Sequence, residues 1–259
     1  MEKLRLGGMA LENGVLVHGP TSWAAAVRDG AGEIRVASGP KRRFAEGVSI
    51  PVVRGPLRLA EALAILPDVR RALPEARFAF EKPRVAVAMV VCWVAASVAR
   101  HSRLGVLPRE AVSAVASLAP ALLALKGGEL ASYHGAEHVS IGAYETGGPS
   151  AKEHERCGSH LVGPMLLTTA AAGALARRAP VQHRRRAHLA GSLGAIGVAI
   201  EIFSWASKHP RNPLSRALAR PGYELQHRLA TADPSPEQLA VAEAALAACL
   251  EAEGAAAAA

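Results

Sequence analysis

Four apolar stretches, separated by charged loops, constrain this chain more than any other feature of its sequence. They cover residues 85–99, 111–125, 161–176 and 188–206. Each is somewhat shorter than the ~20 residues that a spanning helix needs, although arginine side chains at the ends can snorkel and extend it. Four such stretches in one chain favour membrane helices over the core helices of a soluble protein. We therefore predict a helical membrane bundle over residues 81–210.

The charge of the chain agrees with a membrane setting. Half of the sequence is hydrophobic, and the formal net charge is +8. A basic chain of this kind suits either anionic lipid headgroups or nucleic acid. Aromatic residues, on which nucleic-acid bases stack, make up only 4% of the chain and are scattered along it. We therefore predict membrane lipids as partners and expect no nucleic acid.

The regions on either side of the bundle differ from it in composition. Residues 1–55 have short apolar runs between Gly, Pro and Asp clusters, which predicts a small β-rich unit. Residues 56–80 contain an amphipathic helix, suited either to the membrane interface or to packing on the β-rich unit, and a linker. Residues 211–259 are a C-terminal segment with an amphipathic helix at about 236–252. The predicted fold class is a mainly α membrane protein, in which a small N-terminal β-rich unit is followed by a helical membrane bundle and a C-terminal amphipathic helix.

A short motif in the middle of the chain carries the candidate chemistry. His134, Glu137, His138 and Glu145 follow a spacing that places all four on one face of a helix, if residues 129–145 are helical. Imidazole and carboxylate are common ligands of divalent metals, zinc above all. The H-x-x-E-H order is also that of inverted zinc peptidases, in which the two His bind zinc and the Glu acts as general base. The alternative is a set of ordinary surface hydrogen bonds.

A metal site on this helix needs a further ligand, and three residues are candidates. Glu201 is the first choice because it lies within the fourth apolar stretch, where a carboxylate is costly unless it faces inward to a partner. We expect His134 and His138 to face it. His154 and Cys157 are the alternatives, since His and Cys three residues apart can reach one zinc ion. Cys157 could instead be a thiol nucleophile or a buried structural residue.

Several stretches, in order along nearly the whole chain, resemble the YqhQ-like family of bacterial membrane proteins, which is grouped as a domain of unknown function. The matching motifs are GMALENGVL at 8–16, IPVVRG at 50–55, YHGAEH at 133–138, HERCGS at 154–159, PG at 221–222 and DP at 233–234. Val139 departs from the pattern, which has a lysine at that position. The resemblance implies a multi-pass protein of the bacterial inner membrane, and it implies no biochemical activity.

Two functional interpretations follow from these features. In the first, a zinc site on His134 and His138 makes the protein a metal-dependent hydrolase, with Glu137 taking the proton from the attacking water. In the second, the protein is a non-enzymatic homo-oligomer, either a membrane scaffold or a transporter or channel lined by inward-facing His and Glu. The sequence leaves open whether the chain is an enzyme. The positive-inside rule would place the basic loop at 177–186 in the cytoplasm, whereas four simple crossings from a cytoplasmic N-terminus would place it outside, so the sequence leaves its orientation open.

Overall fold

An antiparallel sheet forms the N-terminal part of the chain in the computed structural model, which describes residues 3–102, 105–125 and 129–258. Its strands pair in the order of the sequence: β1 (Gly7–Leu11), β2 (Gly14–His18), β3 (Ser22–Arg28) and β4 (Ile34–Pro40). Only Glu12 and Asn13 separate the first two strands, and Leu11 pairs with Gly14 across this turn. The predicted β-rich N-terminal unit is therefore confirmed as a four-stranded sheet.

The rest of the described chain is mainly helical, as predicted. The helices are α1 (Arg54–Leu63), α2 (Leu66–Ala72), α3 (Pro83–His101), α4 (Val106–Leu125), α5 (Leu130–Thr146), α6 (Val162–Arg177), α7 (Arg184–Lys208), α8 (Pro213–Leu225) and α9 (Pro236–Ala258). Two compact units divide these elements. The first unit consists of Met1–Lys41, Ile65–Glu153 and His227–Ala259, and the second of Arg42–Ala64 and His154–Gln226.

In the first unit strands β2 and β3 are buried on both faces of the sheet, whereas β4 is largely exposed. Alternate residues of a strand point to opposite faces. Val15 and Val17 pack with Tyr133 of α5 and with the apolar side of α9. Leu16, between them, points the other way and packs with Val69 of α2. Burying a side chain of this size stabilises the fold by about 1.5–3 kcal/mol. The sheet therefore fixes α5 and α9 on one face and α2 on the other.

Helices α3 and α4 also belong to the first unit and pack against each other. Their exposed side carries large apolar residues, among them Val87, Val90 and Trp93, of which Trp93 is 68% exposed. Continuous apolar faces of this kind are rare on soluble monomers and are typical of surfaces that meet a membrane or another protein. The apolar part of α3, Pro83–Ala99, is shorter than a full membrane span.

In the second unit α6 and α7 pack as a helical hairpin, with α1 and α8 beside it. Each of these two helices, counted with the short 3-10 turn that precedes it, is long and apolar enough to cross a membrane. The span that ends with α6 is Gly158–Arg177, with 20 residues, and the span that ends with α7 is Val181–Lys208, with 28. Only 22% of the apolar window of each is buried. Of the four predicted membrane stretches, the third and fourth meet the length and composition of a span within the described residues. The first stretch lies in the shorter α3. The second stretch lies in α4, whose described part does not meet the length and composition of a membrane span.

Candidate metal centre

Helix α5 places the two motif histidines on one face, as the spacing predicts. The helix runs from Leu130 to Thr146 and ends at Gly147, whose φ of 79° is the left-handed conformation that glycine adopts without strain. It packs on strands β1 and β2 and on α9. His138 is only 2% exposed, so its imidazole is buried.

The rings of His134 and His138 lie side by side, with their centroids 4.4 Å apart. Each ring uses its Nδ1 atom for a backbone carbonyl. For His134 this is the oxygen of Ala230 at 2.8 Å, and for His138 it is the oxygen of Lys152 at 2.5 Å. A carbonyl only accepts, so in the neutral rings Nδ1 carries the proton and Nε2 carries the lone pair. Histidines that bind metals are usually fixed in this way, by a hydrogen bond from the other ring nitrogen.

A glycine between the two histidines lets the backbone approach that orients His134. Gly135 faces the carbonyl oxygen of Ala232 so closely that a Cβ atom at position 135 would overlap it. The amide of Ala232 also donates to the carbonyl of Ala131 at 2.9 Å. These contacts hold the segment before α9 against α5, where Ala230 reaches His134. This role was not predicted from the sequence, although the glycine inside the motif is a signal that could have indicated it.

Glu137, the predicted catalytic base, is 6% exposed and faces the sheet. Its carboxylate lies against Gly8 of β1, where any side chain at position 8 would displace it. Glu137 is therefore a buried carboxylate on the same helix as the two imidazoles. Its role as a base stays a prediction.

His154 and Cys157 belong to the second unit, in the loop that precedes α6. Buried Gln226 fixes this loop, because its Oε1 accepts from the amide of His154 at 2.8 Å and its Nε2 donates to Ser159 Oγ at 2.7 Å. Nε2 of Gln226 also lies 3.0 Å from Nε2 of His160, and Nδ1 of His160 is hydrogen-bonded to the carbonyl of Ala219. His160 thus uses both ring nitrogens for structure.

Burial raises the pKa of the Cys157 thiol, and hydrogen bonds from Ser159 offset only part of this effect. Burial likewise lowers the pKa of His154, against an opposite effect of Glu155. At neutral pH the thiol is therefore protonated and the imidazole is neutral. A nucleophilic cysteine needs the thiolate, so this environment does not favour that interpretation of Cys157. A bound metal would have to displace the thiol proton.

Glu201, the first choice for a third ligand, pairs with Arg54 within the second unit. The guanidinium donates through Nε at 2.8 Å and through Nη2 at 2.5 Å, one bond to each carboxylate oxygen. The amide of Val52 donates to the same carboxylate at 3.3 Å. A carboxylate in an apolar helix was expected to need a partner, and the partner of Glu201 in the structure is Arg54. Coordination of a metal by Glu201 stays a prediction, and it would compete with three hydrogen bonds.

The backbone beside this ion pair has an unusual conformation. Val52 has a φ of 70°, in the left-handed region that β-branched residues rarely adopt. Gly197 of α7 faces the Val52 carbonyl at a distance that leaves no room for a Cβ atom. Such strain persists only where surrounding contacts impose it. The segment before α1 is therefore held on α7 by the ion pair and by this close approach.

The donor atoms of His134, His138 and Cys157 are of the types that could hold a metal ion. Two imidazoles and a thiolate form a donor set typical of zinc. The two imidazoles belong to the first unit and the thiol to the second.

Comparison with known proteins gives one family. Residues 129–252 match the sequence model of a family described as protein of unknown function (DUF1385). The matched region begins just before α5 and ends within α9, so it includes every residue of the candidate site. This match supports the predicted membership of a domain-of-unknown-function family. Searches of curated proteins and of solved structures found no significant match.

Proposed function

We propose that this chain is a multi-pass protein of the bacterial inner membrane that binds a divalent metal, zinc, through His134 and His138. One observation carries the metal proposal. Two adjacent imidazoles, 4.4 Å apart between ring centres, both use Nδ1 for a backbone carbonyl. In both rings the lone pair is then on Nε2, the nitrogen that would bind the metal.

The third ligand stays a prediction, with Glu201 as the first choice and His154 and Cys157 as the alternatives. Zinc binds thiolates well, and a thiol protonated in the absence of metal can give up its proton on binding. Glu201 would have to leave a two-point ion pair with Arg54 to coordinate a metal.

The membrane proposal is supported by the two candidate spans in the second unit and by the exposed apolar side of α3. The loop between the spans contains Arg177, Arg178 and the run Arg184, Arg185 and Arg186. The positive-inside rule places such a loop in the cytoplasm. Extraction of the chain from membranes by carbonate or high salt, without detergent, would overturn this proposal.

Metal-dependent hydrolysis is the second candidate function, and it rests on Glu137, a buried carboxylate on the same helix as the two histidines. A zinc ion with an open position supplies an activated water, and Glu137 would take its proton. The non-enzymatic alternative, an oligomeric scaffold, transporter or channel, stays a prediction without a described feature that favours it.

Metal analysis of the protein purified in detergent tests the site directly. We expect about one zinc ion per chain. His134→Ala and His138→Ala should lower zinc affinity by more than the ~10–100-fold that loss of an outer-shell partner costs. His209→Ala is the matched control, because His209 also uses Nδ1 for a carbonyl, that of Trp205, but is exposed. Failure of the wild type to bind added zinc, or an equal loss in His209→Ala, would contradict the proposal.

A further inference from the structure

A cleft in the first unit, away from the two histidines, has unbalanced charges on its walls. Its volume is about 490 Å³, within the range of pockets that hold small molecules. Glu12, Glu129 and residues of the segment 77–83 line it. Glu12 belongs to the turn between β1 and β2, and Glu129 directly precedes α5.

Hydrogen bonds hold the walls of this cleft in place. Asn13 is 2% exposed, and its Oδ1 accepts from the amide of Arg77 at 3.0 Å while its Nδ2 donates to the carbonyl of Glu75 at 3.1 Å. The amide of Glu12 donates to the carbonyl of Arg77 at 2.9 Å. Phe78, 5% exposed, forms an apolar wall. The cleft is therefore preorganised, which lowers the cost of binding a ligand.

Two of the charged groups on the walls are neutralised by partners. Lys82 pairs with Oε2 of Glu12, and Glu81 pairs with Arg70 and also accepts from the amide of Phe78 at 3.0 Å. The Glu12 side chain is only 8% exposed, yet its Oε1 has no hydrogen-bond partner among the described residues. A buried carboxylate oxygen without a donor is costly, and it calls for an explanation such as a bound group.

Two exposed groups of opposite charge remain on the same walls. Within the described part of the chain, Arg77 and Glu129 make no ion pair. Both side chains line the same cleft, where they act on its interior without neutralising each other. A ligand of a single charge would satisfy only one of them.

We propose that this cleft binds an ammonium–phosphate zwitterion of the phosphoethanolamine type. Its phosphate would meet Arg77, whose planar fork suits phosphate oxygens, and its primary ammonium would donate to Glu129 and to Oε1 of Glu12. Pro83 lines the cleft and is the first residue of α3, whose exposed apolar side follows it. The zwitterion can be the headgroup of phosphatidylethanolamine, with its acyl chains along α3, or a soluble molecule.

The test uses the full-length protein in detergent, titrated with O-phosphoethanolamine and with phosphocholine. Phosphocholine has the same phosphate, but its quaternary ammonium cannot donate a hydrogen bond. We expect at least about tenfold tighter binding of O-phosphoethanolamine. Arg77→Gln and Glu129→Gln should each weaken it by about tenfold, as loss of a charged partner does. The matched controls Arg5→Gln and Glu251→Gln change exposed residues outside the cleft and should have no effect.

Lipid vesicles identify the source of the ligand. If it is a lipid, the protein should bind vesicles of phosphatidylethanolamine and phosphatidylglycerol more tightly than vesicles with phosphatidylcholine in place of phosphatidylethanolamine. If it is soluble, only the titration should show the preference. The proposal is overturned if neither probe binds, if phosphocholine binds equally well, or if Arg77→Gln and Glu129→Gln bind like the controls. Zinc content should be the same in all these variants, because the cleft does not involve His134 or His138.

Discussion

The carboxylate of Glu137 lies directly against Gly8 of β1, and a Cβ atom at position 8 would overlap its Oε1, Cδ and Cγ atoms. The sequence indicates Gly8 only as one of several glycines near a hairpin. In the structure it is the residue that lets α5 approach the sheet with a buried carboxylate between them. The placement of Glu137 therefore depends on the absence of a side chain in a strand more than 120 residues earlier.

The first prediction is that Gly8→Ala destabilises the protein. Because the clash reaches Cγ, the whole Glu137 side chain must move within a buried site, and overpacking of this kind costs about 1–3 kcal/mol. Gly30→Ala is the control, since no atom lies within 4 Å of a Cβ built there and the residue is exposed. Denaturant unfolding of the two variants measures the difference. Equal stability would show that the side chain moves aside without cost.

The second prediction concerns Glu137→Gln, which keeps the size of the side chain and removes its charge. We expect the fold to be retained and zinc affinity to fall by ~10–100-fold, as for a group that supports a ligand imidazole from outside the coordination sphere. Metal content and thermal stability, measured beside the wild type, check this. A hydrolase would instead keep its zinc and lose activity by several orders of magnitude. Unchanged metal affinity and unchanged cellular function would leave Glu137 without a role in the site.

The structural elements around the site could be predicted from local sequence patterns. Helix α5 follows from the spacing of its motif, the sheet from short apolar runs between Gly, Pro and Asp clusters, and the other helices from apolar stretches. The orientation of the two imidazoles could not be predicted in this way. It depends on the carbonyls of Ala230 and Lys152, and every residue has a carbonyl, so no side-chain pattern indicates which one will be used.

The partner of Glu201 was also beyond sequence reasoning. The sequence predicts that a carboxylate in an apolar helix needs a partner, and it offers His134, His138 and many arginines. Which of them it meets depends on the tertiary fold, because Arg54 is 147 residues away. No sequence pattern predicts the left-handed conformation of Val52 either, since valine is among the residues least expected to adopt it.

The third prediction is a loss of stability at high pH that depends on Cys249. This residue is fully buried in α9, and burial, with a smaller effect of Glu253, raises the pKa of its thiol from 9.0 to about 11. The folded state therefore keeps the proton to higher pH than the unfolded state. Its stabilising contribution is complete below pH 9 and is lost as the pH rises towards 11, by about 2 kcal/mol.

Cys249→Ala is the comparison that isolates this contribution, because lysine and tyrosine side chains also titrate between pH 9 and 11. Unfolding free energies measured across this range should fall more steeply for the wild type than for the variant. Parallel curves would mean that the thiol titrates alike in the folded and unfolded states.

The last prediction is that Arg54 and Glu201 are coupled, so that losing both costs less than the sum of the two single losses. Arg54→Ala leaves a carboxylate without its partner in an apolar helix, and Glu201→Ala leaves the guanidinium at the start of α1 without its partner. Breaking such a pair from one side is more harmful than removing both charges. We therefore expect each single variant to lower the unfolding temperature in detergent, and the double variant to be at least as stable as Arg54→Ala.

Arg54→Lys keeps the charge but loses the two-point geometry, so its unfolding temperature should fall between those of the wild type and Arg54→Ala. Strictly additive losses in the double variant would show that the pair contributes no coupling to stability.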